Sequence, residues 1–296
     1  MVFFLLLLTA PNNLRSEQVL ILGDSQKSVG NEDFEMAEAV IEDAFTVFTP
    51  DVVLRTGDSV GSGSNKSQWE DWRDAYSVVF DNEVPIYSCI GNHDDGDSAG
   101  PWWNLFGKTW QYLHWGYFET FGVPMWYEFT VDGIDFMVLN SSLAGFDVRT
   151  LSGDLFEFLQ HQWVVNTLKT KTNLVVAVWH QPPYASWAFL GNGHGSNRFM
   201  RSRYADEFEK YDGFIGSFHG HNHWYERVMH DGNYYITTGG GGAVLLPVSP
   251  FPFDKIEGSE VNVAGYHYCL FDTETGEVTV LRYDSHEQID SFNLFD

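Results

Sequence analysis

Short β-branched and apolar runs alternate with longer stretches at helical spacing through the first two thirds of the chain. Val19 to Leu22, Val52 to Leu54, Ile86 to Ile90, Leu174 to Trp179 and Gly213 to Phe218 read as strands. Between the first two, Phe34, Ala37, Val40, Ile41, Ala44, Phe45 and Phe48 recur at helical spacing, with Asn31 as N-cap and Pro50 beyond the end. Further helices are predicted from about Lys66 to Asp81, from Gly153 to Lys169 and around Arg201 to Lys210. Strand, helix, strand, helix, strand is the order that builds right-handed parallel units. Tyr127 to Val131 and Ile134 to Asn140 flank Asp132-Gly133, a hairpin turn. Asn233 to Thr238, Gly265 to Phe271 and Val278 to Tyr283 are β-rich and predict a mixed second sheet. The elements fit two packed sheets flanked by helices, an α/β fold.

Almost every one of the early strands ends in residues that bind cations. The turns are Gly23-Asp24-Ser25-Gln26, Gly57-Asp58, Gly91-Asn92-His93-Asp94, His180-Gln181-Pro182-Pro183 and His219-Gly220-His221-Asn222-His223. Carboxyl ends of strands are where ligands collect in an α/β sheet, so these distant residues are expected at one place. Singly, each has a plainer reading: an Asp after Gly is a turn or cap, and a lone His is a hydrogen-bonded half-buried side chain. Joint placement is what favours a site.

The order of these motifs resembles the calcineurin-like metallophosphoesterases, whose pattern runs D-x-H, GD, GNH[DE], a lone H, then GHxH. The resemblance extends from Val19 to the glycine run at Gly239. His180-Gln181-Pro182-Pro183-Tyr184, the later His194-Gly195-Ser196 and Gly220-His221-Asn222-His223-Trp224-Tyr225-Glu226-Arg227 look most like the purple acid phosphatase branch. The resemblance implies a four-layer α/β/β/α sandwich with two mixed β-sheets. It implies two metal ions, of manganese, iron or zinc: one held by Asp24, Asp58 and His223 with Gln26 as a weaker ligand, the other by Asp58, Asn92, His180 and His221. It implies hydrolysis of a small phosphomonoester or phosphodiester by a hydroxide shared between the metals, with His93 assisting the leaving oxygen and His194 and Tyr184 contacting substrate. Two residues depart from the pattern. Gln26 stands where the broad family has histidine, which should weaken that position and favour manganese or magnesium over zinc. Gly61 stands where purple acid phosphatases have the iron-binding tyrosine, so no iron–tyrosinate colour is expected. A nucleotide or sugar-nucleotide pyrophosphatase is the alternative enzyme, and a non-catalytic metal-binding scaffold the alternative of another class.

Other residues stay on their plain readings. His219 would face away from Phe218 and Gly220 and is read as core. Arg198, Arg201 and Arg203 are candidates for a phosphate grip, with solvation near a helix as the plainer role. Gly239 to Gly242 lacks the Gly-Lys-Ser/Thr of a phosphate loop and is read as a tight turn near the site. The aromatic stretch Gly100 to Tyr127 is either a wall over the site or the core of an insertion, and aromatics more often fill cores.

Composition narrows the partners. The 296 residues are 44% hydrophobic and 17% aromatic, enough for one large domain from about residue 17 to 296. Asp and Glu number 41 against 16 Lys and Arg, a formal charge of -25. Such a surface repels phosphate backbones and disfavours nucleic acid, whereas bound cations reverse the field locally for a small phosphorylated substrate. Residues 1–16 open with the apolar run Val2 to Leu8, which is too short to span a bilayer and suits the core of a secretion signal, with a buried strand or an anchor as alternatives. A secreted or periplasmic protein without a transmembrane helix is therefore expected. Cys89 and Cys269 have no metal-ligand spacing and read as small buried residues.

Overall fold

The computed structural model describes residues 16–27, 33–94, 116–144, 151–187, 195–251 and 254–296. Strands β1 (Gln18–Leu22), β2 (Val52–Arg55) and β3 (Ile86–Ser88) are mutually parallel and form one half of a six-stranded sheet. Helices α1 (Glu35–Val47), α2 (Lys66–Ala75), α3 (Ser77–Asp81) and α4 (Gly116–Phe121) accompany them. A seven-stranded sheet runs β10-β8-β9-β7-β6-β5-β4. Its members are β4 (Tyr127–Val131), β5 (Ile134–Val138), β6 (Leu174–Val178), β7 (Phe214–His219), β8 (Tyr225–His230), β9 (Asn233–Thr238) and β10 (Ser259–Val263). Helix α5 (Leu151–Leu168) enters β6, and a helical stretch from Arg198 to Phe208 enters β7.

Period-two alternation makes the layers. On β1, Val19 and Ile21 face the other sheet and join Phe136, Val138, Val176, Phe218 and Ile236 in the core between the sheets. Leu20 and Leu22 face outward onto Ala37, Val40, Ile41 and Ala44 of α1 and Trp69 and Trp72 of α2. On the far side, Met137, Val175 and Ala177 meet Val164 and Leu168 of α5 and Tyr204 and Phe208. Both faces of both sheets are thus covered, the α/β/β/α sandwich. The Asp-Gly hairpin is as expected: Asp132 and Gly133 both have positive φ, 46° and 80°, and β4 and β5 pair from Tyr127↔Val138 to Val131↔Ile134.

Four elements differ from expectation. The last strands do not build the second sheet. Only β9 does; β11 (His267–Asp272), β12 (Glu277–Arg282) and β13 (Gln288–Asn293) extend the first, β11 pairing antiparallel with the free edge of β1. That pairing sets Ile21 opposite Cys269 and sends Cys269 and Phe271 into the core between the sheets. The helix expected from Lys66 to Asp81 breaks at Tyr76, whose hydroxyl accepts from Arg55. The helix expected near Arg201 starts at Arg198, because Asn197 Oδ1 accepts from the amides of Phe199 and Met200 at 3.0 and 3.1 Å. Asn31, the expected cap of α1, lies outside the described residues, and α1 starts at Glu35 with no side-chain cap from Phe34.

Of the aromatic stretch, Tyr117, Phe121 and Tyr127 are buried in the core, and residues 100–115 lie outside the described residues. Both cysteines are buried and free. Among the described residues no helix is long and apolar enough to cross a membrane.

Candidate metal centre

Parallel strands put their carboxyl ends on one side, and the two sheets bring those ends face to face. The turns after β1 and β2 are bonded to each other, Asp24 N to Gly57 O and Ser25 N to Asp58 O, both at 3.0 Å. The turns after β6 and β7 join through Gly220 N to His180 O at 3.0 Å. Side chains then bridge the two sheets. The His221 amide donates to the Asp24 carboxylate at 2.9 and 3.0 Å, and His180 Nε2 lies 3.2 Å from Asp58 Oδ2.

These turns are conformationally unusual. Asp24, Asp58 and His221 have φ of 59°, 51° and 70°, in the left-handed region that side chains other than glycine seldom occupy. Such backbone strain persists where the surroundings over-determine it, and it clusters at functional sites. Two glycines make room for the packing. A Cβ on Gly57, φ 93°, would lie 2.8 Å from His180 Nδ1, and one on Gly91 would fall 2.0 Å from Asp58 Oδ1.

The imidazoles are held by backbone carbonyls. His180 Nδ1 lies 2.8 Å from Thr56 O and His223 Nδ1 lies 2.7 Å from Val244 O. A carbonyl takes only a donor, so each Nδ1 carries the proton and each Nε2 is left as a ligand. Asn92 Oδ1 stands between His180 Nε2 at 3.1 Å and His221 Nδ1 at 2.9 Å. Gln26 is buried, its Nε2 3.2 Å from Asp58 Oδ2 and 3.1 Å from His223 Nε2, while its Oε1 has no partner among the described residues. His93 lies at the rim: its amide donates to Asp58 Oδ1 at 2.9 Å and its Nδ1 lies 3.1 Å from Gly61 O. All the sequence-expected metal residues are therefore brought together, and His93 stands beside them.

Electrostatics marks the same place. Burial pushes Asp24 up to about 8 against the pull of His180, with Asp58 adding to the rise. Burial acts on Asp58 in the same sense, yet His180 and His93 outweigh it and hold that carboxyl well below the usual range. Burial pulls His180 down, but Asp58 and Asp24 raise it to about 9. Buried carboxylates that draw protons onto themselves and onto a neighbouring imidazole are a donor set that a cation would satisfy. The ligand atoms of Asp24, Asp58 and His180 all lie within 4.8 Å of one another, and with the amide oxygens they suit a mixed N/O metal site. The residues present fit metal ions.

The remaining candidates are distributed as follows. Tyr184 is 3% exposed, its ring stacks on His230 at 4.0 Å and its hydroxyl donates to Glu209 at 3.4 Å. His194 lies outside the described residues. His219 is in the core as expected, its Nδ1 bonded to Trp179 O at 2.9 Å and its pKa pulled to about 3 by burial. Arg201 lies over the Tyr184 ring and Arg203 pairs with Glu157 at 2.9 Å, which leaves neither as a phosphate grip. The glycine run does turn beside the site: Gly241 N donates to Gly23 O at 2.8 Å and Ala243 N to Asp24 O at 2.9 Å.

Two residues escaped the sequence reading. Asp94 is buried and accepts from the amides of Ser59, Val60 and Gly91 at 2.8, 3.2 and 3.0 Å, tying the β2 turn to the β3 turn. Its place in Gly-Asn-His-Asp was the signal available. Arg55 is buried at the end of β2 with no signal except its charge within an apolar run.

A family model described as calcineurin-like phosphoesterase matches residues 18–225. No curated protein sequence matches the chain. Among solved structures, purple acid phosphatase from yellow lupin (Lupinus luteus) seeds is similar at TM-score 0.65 and 17% identity, over 94% of this chain. The chain spans 53% of that protein's length. GAP50 of Plasmodium, titled an anchor in the inner membrane complex, is similar at TM-score 0.67 and 14% identity, over 94% of this chain and 88% of its own. A dimetal phosphatase from Danio rerio is similar at TM-score 0.57 and 12% identity, over 94% and 99%. At these identities the likeness is one of fold.

Proposed function

The chain belongs to the calcineurin-like phosphoesterase family, and we propose that it hydrolyses a small phosphomonoester or phosphodiester at a two-metal centre. Asp24, Gln26, Asp58 and His223 would hold one ion, and Asp58, Asn92, His180 and His221 the other. Bound there, the ions would supply Lewis-acid activation of water and positive charge against the phosphoryl oxygens. The chain's own residues do the rest. The carbonyls of Thr56 and Val244 fix the tautomers of His180 and His223. The His93 amide orients Asp58, the carboxylate common to both sets. Gly61 O occupies His93 Nδ1 and leaves Nε2 as the ring atom available to a leaving oxygen. Burial lowers the His93 pKa, but the Asp58 charge and the Gly61 carbonyl raise it above its ordinary value. That direction favours the protonated ring a general acid needs.

The observation that supports this reading most is the bond from the His93 backbone amide to Asp58 Oδ1 at 2.9 Å, which seats a rim histidine beside the central carboxylate. It is tested with two monoesters that differ in leaving group. His93→Ala should lose far more rate on an alkyl phosphate, whose alkoxide needs a proton, than on a nitrophenyl phosphate, whose phenolate does not. Equal losses on both would remove His93 from that role.

A non-catalytic reading draws on Gln26, a ligand position changed from the family's histidine, and on the likeness to a protein titled an anchor. It predicts bound metal without turnover of any ester. His93 argues against it, since a scaffold has no use for a proton donor. The aromatic stretch that would favour a pyrophosphatase lies largely outside the described residues.

A further inference from the structure

β9 ends at Thr238 and β10 begins at Ser259, and connections this long inside a compact domain are most often functional. From Gly239 to Phe253 the connection carries no charged side chain, in a protein whose formal charge is -25. Its first residues are bonded to the turns of the candidate metal centre. Gly241 N and Ala243 N donate to Gly23 O and Asp24 O at 2.8 and 2.9 Å, Val244 O takes His223 Nδ1 at 2.7 Å, and Leu246 N donates to His223 O at 3.2 Å. Its far end is clipped to the loop that leaves His180. Trp187 N donates to Asp254 O at 2.9 Å, and Ile256 N donates to Ser186 Oγ at 3.1 Å. Ser186 is fixed in turn by Glu226, a buried carboxylate that accepts its amide at 2.9 Å.

On this pinned backbone the side chains present carbon to water. Trp187, Val244 and Phe251 are 54%, 38% and 45% exposed. The Trp187 ring rests against Gly195, where a Cβ would come within 3.3 Å of it. Ser249 carries the only hydroxyl between Gly239 and Phe253, and it is engaged, donating to Asp254 Oδ2 and accepting from Phe251 N at 3.2 Å. Exposed apolar side chains on a fixed backbone bonded to a polar site are the composition of a ligand surface. A sugar or a nucleobase needs donors and acceptors, and this run has no side chain left to supply them. An alkyl or aryl group needs only area.

We infer that Trp187, Val244 and Phe251 form an apolar lip beside the metal centre that receives the alcohol portion of the substrate, so that the preferred ester is one of an alkyl or aryl alcohol and not of a sugar or nucleoside. The inference rests on the phosphoesterase reading and deepens it. The lip touches only the part of the substrate that does not react, so it acts equally on the ground and transition states and shows in KM, not in kcat.

The test is a chain-length series on manganese-loaded protein: ethyl, butyl and hexyl phosphates, each as monoester and as methyl diester, beside a hexose phosphate and a nucleoside monophosphate. kcat/KM should rise about twofold per added methylene, short of the roughly fourfold of complete burial, and the hexose and nucleoside esters should fall below the butyl ester. Trp187→Ala should flatten that dependence and raise KM for the hexyl ester about fivefold, with kcat and ion content held, and Trp187→Phe should retain most of it. Val244→Ser, which keeps the carbonyl bonded to His223, should act in the same direction and less. Hydrolysis indifferent to chain length, or faster on the hexose or nucleoside ester, overturns the inference and leaves the phosphoesterase reading standing. So does a Trp187→Ala variant that loses affinity for phosphatidylcholine vesicles while its KM values stay unchanged, which would make the lip a membrane contact. No hydrolysis of any ester by protein holding two ions overturns the phosphoesterase reading, and this inference with it.

Discussion

Strand β8 has an acid–imidazole cluster near each end. Before it come His221 and His223 with Asp24, Asp58 and His180; at its far end, about 20 Å along the strand, come His230, Asp231 and Glu209. Both place three potential ligand atoms within 4.8 Å. The surroundings differ. Glu209 accepts the hydroxyls of Tyr235 and Tyr184, His230 stacks on Tyr184, and the Asp231 side chain is 81% exposed. Water and phenols meet those charges. In the other cluster the carboxylates are buried, and the imidazole beside them is driven up to about 9 to balance them. Proximity of acids to a histidine is common, and left-handed backbone occurs in both clusters, at Asp231 as at Asp24 and Asp58; burial and charge that a cation would settle are what distinguish the candidate metal centre.

The sharpest way to break this comparison is to remove one carboxylate from each cluster. Asp58→Asn should lose hydrolysis by about 10³-fold or more, in line with removal of a shared metal ligand, and its ion content should fall. Glu209→Gln should leave the ion content unchanged by mass spectrometry, and loss of an ion there would mean that both clusters bind metal. Next in size, His93→Ala should lower kcat by about 10² to 10³-fold with ion content unchanged, the range for a general acid. A fall in metal binding in that variant would make His93 a ligand instead.

A buried histidine without carboxylate neighbours sharpens the contrast. His267 bonds through Nε2 to Thr238 Oγ1 at 3.1 Å and Nδ1 to Gly265 O at 2.8 Å, and burial pulls it down to about 4. The folded protein thus keeps His267 neutral where the unfolded chain, with a value near 6.5, takes up a proton. Stability is whole above pH 6.5 and is lost as pH falls towards 4, by on the order of 3 kcal/mol. His267→Gln should flatten the urea midpoint over that window, and an unchanged slope would exclude His267 as its source. The smallest effect is at Gln26. Gln26→His should tighten the weaker metal position about tenfold and move its preference towards zinc, as measured by competition with a chelating dye.

Much of this arrangement was legible because it is local. β-Branched runs ended by Gly-Asp, Gly-Asn-His and Gly-His-Asn-His define a strand and its ligand turn within about ten residues, and the Asp-Gly hairpin is set by two residues alone. Strand partners are not local. Nothing in the run Gly265 to Phe271 says that it will lie on the edge of β1, so β11 and β12 were expected in the other sheet. The surroundings of Tyr184 were hidden for a similar reason: the Pro-Pro-Tyr motif fixes an extended loop but not the ring of His230, 46 residues away, that stacks on it. Arg55 was hidden because a charged residue in a strand reads as an edge or solvent position, and only the placement of Ser25, Trp72 and Tyr76 around it reveals a buried one.

The central claim is that the strand-end residues hold two cations and use them on a phosphate ester. Chelator-stripped protein titrated with Mn²⁺ while nitrophenyl phosphate and bis-nitrophenyl phosphate hydrolysis are followed tests it most directly. The account predicts two binding events of unequal affinity, with turnover of at least one ester appearing as the weaker position fills. Folded protein that binds two ions and hydrolyses neither ester, or hydrolysis that persists in the stripped protein, would contradict it.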